Sequence, residues 1–570
     1  MANTVDGHLA ILAGISLSFV AVTAFGRFIK KQQNNLSLPP GPVPLPLLGN
    51  VLSVDTQEPW LTYTEWGAAY GDLVFVRILD QEIVVVNSQH IAEALLDKRS
   101  RIYSDRPYLA TLKPYGLSIS FTFMRYGDEW RRCRRLFHQT FRPESAVKFR
   151  PMQIRRAREL VVNLVDDPQH YHDHFATFSL SVVMSAVYDY DVIARDDPLV
   201  QIVVKALAST SGVLTPETAL LLKTFPFLLK IPDWCWGSSI KRNARASTER
   251  INEMVNVPFR YAQQHIADSP FSARSSMVAE NLRRMETQDE AFKPVFEDAL
   301  KKAACTTLGA SYETTSATLM VFVLAMVLYP DVQKRAQAEI DLVVGRDRLP
   351  TFEDRASLPY IDAVVRETFR WQPVVPLGIP HATLSDDVYD GYFIPKGTIV
   401  TYNTWGITRD EKRHPDASRF IPERFIDVDG ALTTDDPAQY IFGFGRRICP
   451  GRYIADASAW SAIVTMLATL DISSAKDDQG RVINFTPIFM PGVVRYLTFL
   501  VPVYPFVTNS LVISAVLRSS LAVFWRGLIL IQTLWTAGEL PKLEDDSIPI
   551  RGPWPVWGTR GVINRSFTSC

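Results

Sequence analysis

The alternation of apolar and polar residues divides the chain into stretches of different character. Residues 9–26 form an apolar run without a charged residue. Between about residues 60 and 494, apolar positions recur at helical spacing over long segments, at residues 154–166, 296–328, 331–344 and 358–370. Two short apolar runs, residues 73–78 and 82–86, are rich in β-branched residues, and a polar turn between them predicts a hairpin. The body is therefore predicted to be mainly α-helical with small β-sheets.

The apolar run near the N-terminus predicts a transmembrane helix. At 1.5 Å per residue it just reaches the length needed to span a bilayer. Arg27, Lys30 and Lys31 follow it directly, which by the positive-inside rule keeps the rest of the chain in the cytosol. A cleavable signal peptide would carry basic residues before the run instead. We therefore expect an uncleaved membrane anchor over residues 1–31.

A proline-rich segment separates this anchor from the body. Repeated prolines between Pro39 and Pro46 fix φ and remove backbone donors, which is typical of a stiff, extended chain. Residues 32–59 are therefore predicted to be a hinge that orients the body against the membrane.

Composition narrows the range of functions. Lys plus Arg and Asp plus Glu both number 60, so no net charge favours nucleic acid as a partner. Hydrophobic residues make up 47% of the chain, enough for a large core. The five cysteines are odd in number, widely spaced and without a Cys-x-x-Cys pair, which favours neither a disulfide framework nor structural zinc. They are Cys133, Cys235, Cys305, Cys449 and Cys570.

Only Cys449 lies in a context that indicates chemistry. It belongs to the ten-residue string FGFGRRICPG, residues 442–451, whose glycines permit a tight turn with close backbone approach. Such a loop can aim backbone donors at a metal-bound thiolate. Arg447, two residues before the cysteine, is positioned to reach a haem propionate through a charge-assisted hydrogen bond.

This string resembles the haem-binding loop of cytochromes P450, and three further motifs of that family follow over residues 36–494. The resemblance implies the cytochrome P450 fold and a haem b whose iron is bound by Cys449, with Phe442 and Gly443 against the cofactor. It implies a monooxygenase that inserts one oxygen atom of O2 into a lipophilic substrate. Electrons would come from NADPH through a separate reductase, since the chain shows no GxGxxG nucleotide-binding pattern. The implied location is the endoplasmic reticulum membrane.

The first of these motifs is structural. Glu367 and Arg370 are three residues apart, so on a helix they share a face and can pair. In the family such a pair is completed by an arginine from a Pro-Glu-Arg-Phe segment, here Arg424. The resemblance therefore implies a buried charged triad that supports the haem-side core.

The second motif lies inside the apolar segment 296–328, where Glu313 and Thr314 are unusual because buried polar groups are costly unless they are used. By resemblance this stretch crosses the distal face of the haem, where Thr314 assists oxygen activation by hydrogen bonding and Glu313 relays protons. Ser311 stands where the family usually has glycine, and its hydroxyl is expected to bend the helix. Whether this departure impairs oxygen activation stays open at this point.

The third motif is basic. Trp130 and Arg134 are four residues apart and share a helix face, which by resemblance meets a haem propionate. His381 is a further candidate for a propionate contact. Arg131 and Arg135 would point outward beside the cysteine loop, where a reductase with an acidic surface would dock.

The family's layout also indicates which stretches line the substrate pocket: residues 108–123, 207–214, 307–314, 374–379 and 489–494. Their side chains are mostly apolar, which favours a terpenoid, fatty acid or aromatic polyketide. The sequence from Pro376 to Gly397 resembles that of fungal members of the family that act in secondary metabolism. A haem-thiolate isomerase or hydroperoxide-rearranging enzyme, and a non-catalytic haem-binding protein, remain alternatives.

The body is predicted to end at residue 494. Residues 495–570 are longer and more apolar than the short strand pair with which the family usually ends. A membrane-associated hairpin, an apolar cap and a segment outside the fold are all open, and we expect the last because no terminal strand is recognisable.

Overall fold

The computed structural model describes residues 36–193, 196–210, 213–235, 237–268, 276–477, 479–483, 485–490, 492–498 and 504–507. The predicted membrane anchor and nearly all of the predicted C-terminal extension lie outside these residues.

Helices dominate the described chain. In chain order they are α1 (Pro59–Tyr70), α2 (Gln89–Ala92), α3 (Asp128–Phe141), α4 (Pro143–Ala146), α5 (Arg150–Asp166), α6 (Tyr171–Tyr188), α7 (Pro198–Ala208), α8 (Pro216–Thr224), α9 (Ser239–Asp268), α10 (Met277–Glu286), α11 (Lys293–Leu328), α12 (Pro330–Val343), α13 (Pro359–Trp371), α14 (Thr404–Thr408), α15 (Ala438–Ile441) and α16 (Arg452–Thr469). The four long helices predicted from periodicity are confirmed as α5, α11, α12 and α13, with ends that differ by a few residues.

The strands are short and form small sheets. They are β1 (Leu73–Ile78), β2 (Gln81–Val86), β3 (His381–Ala382), β4 (Asp387–Tyr389), β5 (Tyr392–Ile394), β6 (Ile399–Tyr402), β7 (Leu470–Ser473), β8 (Ile488–Met490), β9 (Tyr496–Thr498) and β10 (Tyr504–Val507). The largest sheet has the order β1-β2-β6-β3. Its antiparallel β1–β2 pair, with Val74 opposite Val85, confirms the predicted hairpin.

The proline-rich segment lies along β1. The amide of Phe75 donates to the carbonyl of Pro40 at 2.8 Å, and the amide of Asn50 donates to Arg77 at 2.6 Å. Gly41 makes this approach possible, because a Cβ there would lie 2.0 Å from the Phe75 carbonyl oxygen. The segment predicted as a hinge is therefore held against the sheet from residue 40 to residue 50.

The ordered fold continues past residue 494. β9 pairs with β8, and β10 pairs antiparallel with β7, which directly follows α16. Two strands beyond the predicted boundary thus belong to the body.

Helix α11 runs through the centre of the fold. Its residues from Thr315 to Met326 are buried without interruption, as are those from Ala303 to Leu308. Among the described helices it is the one long and apolar enough to span a membrane, and 67% of its apolar window is buried inside the protein. A helix apolar on all sides and covered by neighbouring helices is a core helix.

Candidate active site

The predicted iron ligand lies at the end of a loop closed on itself. The amide of Cys449 donates to the carbonyl of Phe442 at 2.7 Å, and a 3₁₀ turn, Gly445–Arg447, lies between them. The loop joins α15 to α16, so that the half-buried Cys449 stands just before the N-terminus of α16.

Two glycines make this loop possible. Gly443 and Gly445 have φ of 81° and 58°, in the left-handed region. A Cβ on Gly445 would lie 2.0 Å from the carbonyl oxygen of Leu96, and one on Gly443 would lie 2.8 Å from the hydroxyl of Tyr402. Because both the backbone conformation and the available space exclude a side chain, only glycine fits at these positions.

The surroundings of Cys449 offer positive partners to a thiolate. Burial raises the pKa of the thiol, whereas the amide of Gly451 and the charges of Arg134 and Arg452 lower it. The N-terminus of α16 adds a partial positive charge. A bound metal ion would overcome the effect of burial, since a coordinating thiol is deprotonated outright. The donor set therefore fits an iron-bound thiolate.

Arginines surround the region of the cysteine loop. Among them are three that are buried or half-buried: Arg106, Arg134 and Arg447. Within the described residues none of them forms an ion pair with a carboxylate. The one nearby acid, Asp105, is engaged by Arg125 at 2.5 Å and by the amide of Tyr126. Burial lowers the pKa of all three arginines, and for Arg447 the neighbouring charges of Arg106 and Arg134 add to this effect.

Among the described residues, Arg106 and Arg447 donate their hydrogen bonds to backbone carbonyls. Arg106 donates to Thr122, Ile379 and Pro380 at 2.7–3.0 Å. Arg447 donates to Ser104 at 2.8 Å and to Met124 at 2.7 Å. Buried cations are costly unless an anion compensates them. This charge excess fits the two propionates of the haem that the sequence implies.

Trp130 lies against the same cluster. It is buried on α3, and the guanidinium carbon of Arg447 stands 4.3 Å from its ring centroid. The structure thus brings together Trp130, Arg134 and Arg447, which the sequence singled out in two separate motifs.

His381 also lies with the arginines, in β3. It is 2% exposed, and its Nδ1 is 2.6 Å from the carbonyl oxygen of Tyr103. A carbonyl only accepts, so Nδ1 carries the proton. Burial and the charges of Arg106 and Arg447 hold the pKa of His381 well below its usual range, which leaves Nε2 unprotonated. His381 would donate through Nε2 only after an anion had raised this pKa.

The predicted distal residues lie where α11 opens onto a space. Ala310 is exposed, although the stretches on either side of it are buried. The Thr314 hydroxyl donates to the Ala310 carbonyl at 2.8 Å. Glu313 is half-buried, has no hydrogen-bond or ion-pair partner among the described residues, and has its pKa raised by burial. This turn therefore presents a hydroxyl and an uncompensated carboxyl.

Ser311 forms a contact with a neighbouring helix. The helix is continuous from Lys293 to Leu328, and the Ser311 hydroxyl lies 3.1 Å from the Ser179 hydroxyl of α6. The hydroxyl that was expected to bend α11 thus has a partner on the neighbouring helix, and the bend itself stays a prediction.

One residue connects the two sides of the site. The amide of Phe121 donates to the Thr306 hydroxyl on α11 at 3.1 Å, while its carbonyl faces Arg447 of the cysteine loop at 3.5 Å. The loop after Arg106 thus links the helix that carries Thr314 to the loop that carries Cys449.

The predicted charged triad is assembled and buried. Arg370 donates to both carboxylate oxygens of Glu367, at 2.6 and 2.8 Å, and Arg424 donates to the same carboxylate at 3.2 Å. Glu367 and Arg370 are fully buried. Phe369, between them on α13, packs edge-on against Phe442 with ring centroids 5.7 Å apart. The triad therefore supports the base of the cysteine loop.

Sequence reasoning missed two residues of this site. Arg106 is a single arginine in a loop, and its partners at residues 379 and 380 lie more than 270 positions away, so no local pattern indicates it. Tyr402 ends β6, its ring fills the space beside Gly378 and Gly443, and its hydroxyl accepts a hydrogen bond from the amide of Ile379. In the sequence, Gly378 and Gly443 were the residues that could have indicated a large side chain packed beside them.

Comparison with known proteins agrees with this geometry. The family model described as Cytochrome P450 matches residues 39–497. Cytochrome P450 monooxygenase 176 of Postia placenta is 36% identical over 494 residues, which cover 86% of this chain and 93% of that protein. Cytochrome P450 monooxygenase claR of Ampulloclitocybe clavipes is 35% identical and covers 86% and 89%. A cytochrome P450 monooxygenase of Armillaria gallica is 38% identical and covers 81% and 88%.

The family model matches most of the chain, and the relatives match it over nearly their full length. The cysteine loop lies beside arginines that form no ion pair with a carboxylate among the described residues. The chain belongs to the cytochrome P450 family and is a haem-thiolate monooxygenase of the fungal type.

Proposed function

We propose that Cys449 is the axial ligand of the haem iron. The residues proposed to contact the cofactor's propionates and ring are Trp130, Arg134, His381, Phe442, Gly443 and Arg447. The observation that carries this assignment is the buried arginine cluster, which has no carboxylate of its own among the described residues. When bound, haem supplies dioxygen activation, aided by electron donation from the cysteinate.

Glu313 and Thr314 are proposed to be the catalytic pair on the distal side. Burial raises the pKa of the Glu313 carboxyl, which has no partner among the described residues, and this suits a group that takes up and releases protons. The hydroxyl of Thr314 donates to Ala310 and keeps its lone pairs for a second partner. Together they would deliver protons to the reacting oxygen and exclude bulk water.

Glu367, Arg370 and Arg424 have a structural role in this proposal. Their charges are used within the triad and by backbone carbonyls, including those of Thr408 and Ala417. No donor is left over from Arg370 for a substrate.

Electrons are proposed to come from NADPH through NADPH-cytochrome P450 reductase. Arg131 and Arg135 of α3 and Arg446 of the cysteine loop are exposed. Arg131 stands over the Tyr126 ring at 5.0 Å and Arg446 bonds the Tyr126 hydroxyl, so the basic ends of α3 and of the loop form one surface. A partner with an acidic docking face would be steered to it.

The endoplasmic reticulum membrane is the proposed location, with the anchor over residues 1–31 and the body cytosolic. Support comes from exposed apolar side chains near the β1–β2 turn: Val43, Leu45, Leu47, Leu48, Leu52, Leu221, Phe225 and Phe227. The amide of Leu79 in this turn donates to Leu48 at 3.1 Å, and Asp80 binds Lys223 of α8 at 2.7 Å. These contacts bring both groups of apolar residues beside one turn, as a membrane-facing patch requires.

A lipophilic small molecule is the proposed substrate, with a role in fungal secondary metabolism such as terpenoid oxidation. An apolar side chain lies beside the open turn of α11. Leu207 of α7 lies 3.4 Å from where a Cβ on Gly309 would stand, so α7 crosses α11 just before Ala310. A site of this kind holds its ligand mainly by apolar contact.

The proposal is tested on the full chain expressed in yeast membranes together with the reductase. The reduced, carbon monoxide-bound enzyme should show the thiolate-type Soret band, and Cys449→Ala should abolish it, whereas Cys235→Ala should not. NADPH-dependent oxidation of a panel of terpenoids, fatty acids and aromatic polyketides should be lost in Thr314→Ala. Retention of the thiolate band in Cys449→Ala would overturn the ligand assignment.

A further inference from the structure

We propose that Ser179 is a positioning residue for oxygen chemistry: its hydroxyl, on α6, holds the turn of α11 that carries Glu313 and Thr314. This inference rests on the catalytic roles proposed for those two residues.

The contact is a reciprocal pair of hydrogen bonds between two helices. The Ser179 hydroxyl donates to the carbonyl oxygen of Ser311 at 2.7 Å and lies 3.1 Å from the Ser311 hydroxyl. Since the Ser179 proton points to the carbonyl, the Ser311 hydroxyl must be the donor in the second bond. Ser179 is 1% exposed, so water does not replace either bond.

Ser311 differs in this respect from the other hydroxyl residues of α11. Five of them donate to the carbonyl four residues earlier in the same helix: Thr306, Thr307, Thr314, Ser316 and Thr318. The bonds that these hydroxyls donate stay within α11, although the Thr306 hydroxyl also accepts the Phe121 amide from outside the helix. The Ser179–Ser311 pair is bonded between helices and therefore fixes the rotation and height of α11 relative to α6.

The position of the Ser179–Ser311 contact matters because it lies in the turn of α11 that opens onto the candidate active site. The carbonyl of Ala310 accepts from Thr314, and the carbonyl of the next residue, Ser311, accepts from Ser179. Within a helix, the carbonyl of each residue already accepts the amide four residues later. The Ser179 hydroxyl is a second donor to the Ser311 carbonyl, so it sets the tilt of that carbonyl and of the turn that contains it. Loss of Ser179's hydroxyl would let Glu313 and Thr314 shift relative to the bound cofactor.

The test compares Ser179→Ala with Ser181→Ala in the haem-loaded full chain. Ser181 is a matched control, because it is buried on the same helix and its hydroxyl donates to Phe178 of that helix at 2.8 Å. Hydrogen exchange of the α11 amides at residues 311–316 should become about tenfold faster in Ser179→Ala, the effect expected for the loss of one to two hydrogen bonds. Ser181→Ala should leave these amides unchanged.

A second readout needs no knowledge of the substrate. In the reductase-reconstituted enzyme, hydrogen peroxide released per NADPH oxidised should rise in Ser179→Ala, while the carbon monoxide-bound spectrum stays that of a thiolate. Ser311→Ala keeps the bond to its carbonyl, so its effect should be smaller, and Ser179→Ala/Ser311→Ala should match Ser179→Ala alone. Ser179→Thr, which restores the hydroxyl, should restore coupling.

The outcomes separate this inference from the proposed function. If Thr314→Ala raises peroxide release but Ser179→Ala does not, the role of Ser179 is overturned and that of Thr314 stands. If exchange accelerates in Ser179→Ala without a change in peroxide release, the tie is merely structural and the inference is likewise overturned. If Thr314→Ala itself has no effect on peroxide release, the proposed catalytic pair fails.

Discussion

The guanidinium carbon of Arg447 lies 4.3 Å from the centroid of the Trp130 ring. This cation–π contact joins the cysteine loop to α3. It also holds a buried cation whose hydrogen bonds otherwise go to carbonyl oxygens. The contact therefore keeps Arg447 in place both with and without an anionic ligand.

Replacing Trp130 by leucine should weaken cofactor retention. Loss of a cation–π contact worth about 1 kcal/mol predicts roughly fivefold faster haem loss. Transfer of haem from the purified enzyme to apomyoglobin measures this rate. Trp66→Leu on α1, which removes a half-buried tryptophan away from the arginines, is the control. Equal rates in the two variants would contradict a role for Trp130 at the propionates.

The triad should be intolerant of losing its acid. Glu367→Gln leaves Arg370 buried without a counter-charge, which costs about 3–5 kcal/mol. We expect little or no protein with the thiolate-type spectrum. Arg424→Ala removes a single, longer bond to the same carboxylate and should reduce the yield less. A Glu367→Gln variant that accumulates normally as haemoprotein would show that the charge balance is not needed.

Tyr402 and Gly443 should behave as a coupled pair. A methyl group on Gly443 meets the Tyr402 hydroxyl at 2.8 Å but the next ring atom only at 3.7 Å. Tyr402→Phe alone leaves the Ile379 amide without its acceptor and should cost about 1 kcal/mol. In the Tyr402→Phe background, however, Gly443→Ala should destabilise less than it does alone. Thermal unfolding of all four proteins measures the coupling, and strict additivity would refute it.

Charge reversal at Arg135 should slow electron delivery. Arg135→Glu is expected to lower the rate of reductase-supported reduction severalfold at low ionic strength, with the difference shrinking as salt screens the surface. The carbon monoxide-bound spectrum should be unchanged. Arg260→Glu, on the exposed side of α9, should have no effect on the rate. An equal loss in both variants would argue against a docking face beside α3.

Glu313 should make stability depend on pH. Burial raises its pKa in the folded protein, whereas the unfolded chain has the ordinary value. Between these two values the folded state binds more protons, so stability falls as pH rises through this window. Glu313→Gln should flatten this part of the curve of melting temperature against pH. The exposed Glu253→Gln on α9 should leave it unaltered.

The sequence indicates those parts of the molecule that depend on local pattern. Long helices such as α11 and the β1–β2 hairpin are predictable because their periodicity repeats over many residues. Cys449, Arg447 and Thr314 are predicted as site residues because their neighbours in the chain form motifs. Arg106 and Ser179 are not, since their partners are far along the chain, 132 positions away in the case of Ser311. The docking of residues 40–50 on β1 likewise depends on backbone contacts that composition does not encode.

The double attachment of Phe121 has a consequence for how this enzyme can diversify. This residue is bonded to Thr306 by its amide and to Arg447 by its carbonyl, so its backbone is held from both sides. The stretch before it, residues 107–120, is attached to α9 through the carbonyls of Pro114 and Tyr115 and includes the exposed Tyr108. Sequence changes around Tyr108 are therefore expected to leave the spacing between α11 and the loop that carries Cys449 constant.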